Sequence, residues 1–399
     1  MTYDVARVRG LFPSLGDGWI HLDPQLGAQI PDRVATAVST TFRNSATSHS
    51  SRYPAARRST QVVEEARQAV ADLVGGSPEG VVLGPDHSVL LAWLAEALST
   101  RLGLGTGIVL SRLDDEANVA PWLRIANRYG AQVQWAEVDI ETCELPTWQF
   151  DELVAANTRL VAVTAASSLV GSAPDVRVAA DLVHDVGGLM VVDASGAAPY
   201  AVLDLEDLKA DVVAVNAAAW GGPRVGALVF RDPGLLDRLP SIALDQQATG
   251  PARLELGGLH YSLLAGATAS IDCLASLDEG AQGTRRQKLE MSIGSLQDYH
   301  DSLFAYLLDR LDRPHLMTIG TAASRVPCVS ISVDGVESDK VAARLADHRI
   351  DVVSGVHGGS RLLEALGVAD AGGAITVGLA PYTTRHEIDQ LASVLDSMA

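Results

Sequence analysis

The sequence predicts an α/β fold, with a mostly parallel, seven-stranded sheet sandwiched by helices and a smaller α+β domain after it. Two patterns carry this expectation. From about Ser59 to Ile242, short apolar runs rich in β-branched residues alternate with amphipathic stretches. Beyond Arg253 that alternation stops. A run that is apolar at every position, not at every second one, is buried on both faces, as in a parallel sheet covered by helices on either side.

The strands are expected over 80–83, 107–110, 132–137, 159–164, 188–192, 211–215 and 226–230, each punctuated by Gly, Asp or Asn. Helical periodicity fills the gaps at 59–74, 89–98, 122–129 and 176–186. A long helical stretch with a break near 280–283 then runs to about Leu311 and reads as a connecting helix. It is followed by a strand over 326–333, a helix over 338–348, a strand over 373–379 and a closing helix over 384–398. The expected domains are 1–30, a segment packing with the small domain; 31–275, the large α/β domain; and 276–399, the connecting helix with the small domain. Ligands of such sheets bind at the carboxyl ends of the strands.

Composition excludes several classes of partner. The 399 residues hold 30 Lys and Arg against 49 Asp and Glu, a net charge of −19. Neutralising phosphates needs clustered cations, so neither nucleic acid nor an anionic membrane is an expected partner. No apolar run approaches the roughly 18 residues of a membrane span, and the first ten residues have no apolar core of a signal peptide. Cys143, Cys273 and Cys328 are odd in number and too widely spaced for a metal or redox motif, which suits a reducing cytoplasm. Only Lys209, Lys288 and Lys340 are lysines. Any chemistry that needs a lysine amine has three candidates.

Four strand ends carry polar or small residues. The loop from Gly84 to Ser88, with Asp86 and His87 inside it, precedes a helix whose free N–H groups suit a phosphate. A plain loop with Ser88 as N-cap explains it equally well, and Asp86 is unwelcome beside an anion. In the second block, Asp114, Asp115 and Glu116 stand before a helix, where acidic residues also simply complement its dipole. Asp193 closes the third, fully apolar run, and the small residues after it leave room for a ligand. The fourth block, from Asn216 through Ala217, Ala218 and Ala219 to a Trp-Gly-Gly-Pro turn, offers no reactive group.

In this order and spacing the blocks resemble the class V aminotransferase family, specifically its cysteine desulfurase-like branch, whose members have the pyridoxal phosphate (PLP) fold type I architecture. The resemblance covers nearly the whole chain. It rests on Gly18-Trp19-Ile20-His21-Leu22-Asp23, the block from Glu116 to Trp122, Asp193, the turn Gly222-Pro223-Arg224-Val225-Gly226, and Tyr382-Thr383-Thr384 with Glu387-Ile388-Asp389.

The resemblance implies roles, and several are vacant. The family's aldimine lysine lies three residues before the Gly-Pro of the turn, which is Ala219 here, and its usual His neighbour is Ala218. The imidazole that stacks on the cofactor ring falls at Asp115. Two partners of the cofactor's phenolic oxygen fall at Gly196 and Ser168, and the arginine that grips a substrate carboxylate falls at Thr376. The loop that carries the persulfide cysteine in true desulfurases corresponds to 352–359, which holds His357 but no cysteine. Asp193 keeps the place of the partner of the pyridinium nitrogen, while Gly84, Ser88 and Asn216 are placed to meet a phosphate. So many simultaneous losses imply natural divergence, because a trapping mutation changes one residue. The family also implies a homodimer in which 249–257 forms a shared loop.

The expected function is therefore a catalytically degenerate homologue that serves as a binding or regulatory protein. The alternative is a transferase or lyase that holds PLP or its amine form noncovalently, with His87 or His357 as proton carrier; the plainer reading of either histidine is an ordinary solvated loop residue. A third possibility is a pocket refitted for a cationic or neutral ligand.

Overall fold

The structure, a computed structural model, describes residues 3–44, 53–355, 359–368 and 373–398. Its strands in chain order are β1 (Ile20–His21), β2 (Val81–Gly84), β3 (Gly107–Ser111), β4 (Gln132–Ala136), β5 (Thr158–Thr164), β6 (Leu189–Asp193), β7 (Val212–Asn216), β8 (Gly226–Phe230), β9 (Leu316–Ile319), β10 (Cys328–Val333), β11 (Ile350–Asp351), β12 (Val353–Gly355) and β13 (Ala374–Gly378).

Seven of them form one sheet in the order β2-β8-β7-β6-β5-β3-β4. All pairs are parallel except those made by β8, which runs against both β7 and β2. Alternate residues of each strand enter different cores. Val161 and Val163 of β5 join one apolar cluster, while Leu160 and Ala162 join the other. The helices Pro54–Val74, Val176–Asp185 and Tyr261–Leu274 contribute to the first cluster, and His87–Leu98 and Ala120–Tyr129 to the second. This two-sided burial explains why the strands are apolar at every position.

A second sheet, β12-β13-β10-β9, is antiparallel throughout. Its Val329, Ile331, Ile375 and Val377 pack with Leu303 and Leu307 of the connecting helix Arg285–Leu311 and with Ile388 and Leu391 of the closing helix Arg385–Asp396. Strand β1 pairs in parallel with β11, so the N-terminal segment is stitched to this part of the chain. The helical stretch expected after Arg253, with its break near 280–283, is two helices, Tyr261–Leu274 and Arg285–Leu311, and Thr284 starts the second through a capping box with Gln287. No helix among the described residues is long and apolar enough to cross a membrane.

Candidate functional site

Because β2 and β5 to β7 run the same way, their carboxyl ends bring Thr164, Asp193 and Asn216 to one edge, beside the loop after β2. There they line a cavity of about 190 Å³. Of the positions singled out by sequence, Asp115, Ser168, Asp193, Gly196, Asn216, Ala219 and His87 all line it. No lysine is among its lining residues. Lys209 is bonded to Asp181 at 2.6 Å and Lys340 to Glu337 at 3.0 Å, both at the surface, while Lys288 sits in the first turn of the connecting helix.

His87 stands at the centre of the polar network. Its Nε2 is 3.5 Å from Oδ2 of Asp193, and its Nδ1 is 3.2 Å from Oδ1 of Asp86. Its side chain keeps 15% of its exposure and that of Asp193 only 6%. Burial alone would push the imidazole toward neutrality. The Asp193 carboxylate, reinforced by Asp86, more than reverses this and raises it to about 10. Burial likewise disfavours ionised Asp193 and Asp86, but His87 and the Ser195 and Ser88 donors hold both below the usual carboxylate range. The Oδ1 of Asp193 accepts from the backbone N–H of Ser195 at 2.9 Å and from its hydroxyl at 2.7 Å. At neutral pH the three side chains are an imidazolium between two carboxylates.

The loop after β2 corrects the expected phosphate site. Asp86, not Ser88, is the N-cap of His87–Leu98, and its Oδ1 accepts from the Ser88 N–H at 2.9 Å and the Ser88 hydroxyl at 2.7 Å. The helix terminus therefore already faces a carboxylate of the chain itself. Ser88 is turned into that cap, and Gly84 does not line the cavity; it borders a separate one with Pro85 and Trp93. Asn216 is committed as well. Its Nδ2 donates to Oδ2 of Asp86 at 3.1 Å and lies 3.1 Å from Nδ1 of His87, and its Oδ1 accepts from the Ala218 N–H.

Two glycines are set by close approach. A β-carbon on Gly196 would lie 2.4 Å from the Ala166 carbonyl oxygen, so no side chain fits there to replace the lost donor. One on Gly226 would lie 2.2 Å from the nitrogen of His87, which shows how tightly the Asp86–His87 backbone rests on β8. Asp115 caps a short 3-10 turn through the Ala117 N–H, and burial, helped by the nearby Asp193 charge, pushes its carboxyl upward. Behind it Asp114 is fully buried and bonded to Ser111 and Asn118; burial outweighs those bonds and raises it to about 7.

The remaining expected positions lie elsewhere. Thr376 is buried inside the second sheet, where its hydroxyl meets that of Ser330 at 2.7 Å, and it does not reach the cavity. His357 lies outside the described residues. In the 249–257 segment Arg253 donates to the carbonyls of Leu239 and Ala248, and Glu255 binds Arg67 at 2.8 Å.

Sequence reasoning missed Gln25, Ser195, Arg224 and Cys328 in the lining. Gln25 donates to the Cys328 sulfur at 3.1 Å, and Cys328 lies near the carbonyl of Ser168. Burial raises this thiol to about 12, so it is no thiolate nucleophile at neutral pH. Ser195 was within reach of sequence reasoning, since a serine two residues after a strand-end Asp is placed to bond it. Gln25 and Cys328 arrive from distant elements and leave no local signal.

Comparison with known proteins places this geometry. Residues 20–391 match the family model described as Aminotransferase class-V. The chain is 55% identical over 399 residues to an uncharacterized protein, MT3887, of Mycobacterium tuberculosis, covering 100% of both. It is 26% identical to the cysteine desulfurase CsdA of Escherichia coli, covering 99% of this chain and 98% of that one. The apo structure of a cysteine desulfurase from Thermococcus onnurineus superposes with a TM-score of 0.88 at 24% identity, over 98% of this chain and 97% of that one. At that identity the likeness speaks for the fold alone.

Proposed function

The chain belongs to the class-V aminotransferase family, and from that premise we propose that it is a cysteine desulfurase-like homologue without aldimine chemistry, acting as a ligand-binding or regulatory protein. The observation that carries this reading is Ala219, which lines the cavity at the family's lysine position with no lysine among the other lining residues. Covalent catalysis needs an amine within bonding reach, and the ion pairs of Lys209 and Lys340 lie on the surface.

PLP, the cofactor the resemblance implies, supplies an electron sink when bound. The residues here do not fit it. The Asp193 oxygens are taken by His87 and Ser195, the helix N-terminus behind Ser88 is capped by Asp86, and an acidic Asp115 stands where a stacking imidazole is expected. The same commitments of His87 and Asp193 count against the alternative of a noncovalent PLP enzyme. The domain division at about residue 275, a cytoplasmic location and a homodimer complete the proposal. The dimer is supported by the family assignment, and a mostly apolar hollow of about 410 Å³ lies where Glu255, Leu256 and Gly257 of the expected shared loop meet Trp93.

The test is the absorbance of the purified protein after incubation with PLP, followed by borohydride reduction and intact-mass measurement. We expect no protein-bound chromophore and no reduced adduct. A bound chromophore that saturates at one cofactor per chain and maps, after reduction, to a single lysine would overturn the reading.

A further inference from the structure

We propose that the Asp86–His87 dipeptide is an internal replacement for the cofactor, with the His87 ring seated on the carboxylate kept for a pyridinium nitrogen and the Asp86 carboxylate seated on the helix N-terminus kept for a phosphate. The proposal rests on the family assignment but reaches further than the missing lysine. A chain that had lost only its lysine would leave Asp193 and the helix N–H groups open to a noncovalently held cofactor.

Four observations converge on it. The imidazole Nε2 lies 3.5 Å from Asp193, which is 4% exposed and has no other cation paired with it among the described residues. The Asp86 carboxylate takes the Ser88 N–H, so one N–H of that terminus is already spent on the chain's own charge, and a second anion there would face it. Asn216, at the end of the neighbouring strand, donates through Nδ2 to the Asp86 carboxylate at 3.1 Å and so holds it in place. Finally, Gly226 lets the Asp86–His87 backbone lie against β8 at a distance that any β-carbon would forbid. The strand ends thus hold the imidazole between two carboxylates of the chain itself.

The replacement has a chemical consequence. A cofactor could enter only by breaking the His87–Asp193 pair and by placing its phosphate against the Asp86 carboxylate, two like charges at one helix terminus. The cavity is lined by Asp115, Ser168, Gln25 and Arg224 as well as by the dipeptide, and any small ligand of this protein is expected beside the dipeptide and not in place of it.

The test is equilibrium dialysis of pyridoxamine phosphate, which needs no lysine to bind, against wild type and an Asp86→Thr/His87→Ala double variant. Wild type is expected to show no saturable binding, and the double variant, which frees Asp193 and the helix N-terminus, to bind at least tenfold more tightly. Saturable binding by wild type equal to that of the variant would overturn the proposal while leaving the absence of an aldimine intact. A folded double variant that gains no affinity would overturn it too. If that variant does not fold, the single variant His87→Gln, which takes the ring off Asp193, replaces it: a gain of affinity over wild type supports the proposal and no gain overturns it.

Discussion

Two largely buried histidines face opposite fates in this molecule. His87 lies between Asp86 and Asp193 and is raised to about 10. His300, in the connecting helix, is 2% exposed, packs beside the Tyr200 and Tyr299 rings, and among the described residues hydrogen-bonds only to the Ala380 carbonyl, at 3.1 Å through Nε2, leaving Nδ1 without a partner. Burial lowers it to about 4, and the bond to Ala380 offsets only part of that. The difference shows that burial by itself strips the charge from an imidazole and that two carboxylates restore it. His87 is therefore part of an ion network at the strand ends, whereas His300 is a neutral packing residue with one hydrogen bond.

The comparison can be broken by mutation. His87→Ala leaves two carboxylates facing each other without a cation, and removing one partner of a buried charge network costs about 3–5 kcal/mol. His300→Ala removes a neutral group and one hydrogen bond and is expected to cost less, about 2 kcal/mol. Urea denaturation of both variants checks the order. A loss below about 1 kcal/mol in His87→Ala would mean that His87 is not part of a buried charge network.

A pH series separates the two residues further. Because the folded-state value of His87 is raised, its contribution is complete below the ordinary histidine value of about 6.5 and is lost as pH climbs toward about 10. The lowered value of His300 works the other way: its contribution is present above about 6.5 and is lost as pH falls toward about 4. Asp114, raised to about 7, adds a loss as pH rises from about 4 to 7. The alkaline slope of the melting temperature is expected to flatten in His87→Ala, and the acid slope in His300→Ala. Asp86, Asp193 and Asn216 face His87, so Asp193→Asn is expected to shrink the alkaline slope as well. The smallest effect is expected from Lys209→Ala, which breaks a half-exposed pair with Asp181 and costs less than about 1 kcal/mol.

The large sheet was legible because strands buried on both faces cannot hide their composition, as Val161 to Val163 and Val191 to Asp193 illustrate. Short pairs such as β1 with β11 were not, since two residues carry no period and their pairing depends on distant chain. The helix Asp32–Asn44 was missed although Asp32 in its first turn was an available signal. At the site, Asp193 was legible as a polar residue ending an apolar run. Its partner was not, because His87 reaches it only when β2 and β6 are brought into one sheet with the strands between them. The cap went to Asp86 and not Ser88 because a carboxylate two residues before an N–H can turn back onto it, and this local competition between two capping residues is undecided by sequence.

The central claim is that the chain supplies its own cation to Asp193. It is tested most directly by following the ring nitrogens of His87 in nitrogen-labelled protein by NMR from pH 6 to 11, with His87→Gln for assignment. The account predicts two protonated nitrogens through pH 8 and a transition near 10. A transition near the ordinary histidine value of about 6.5 would contradict it.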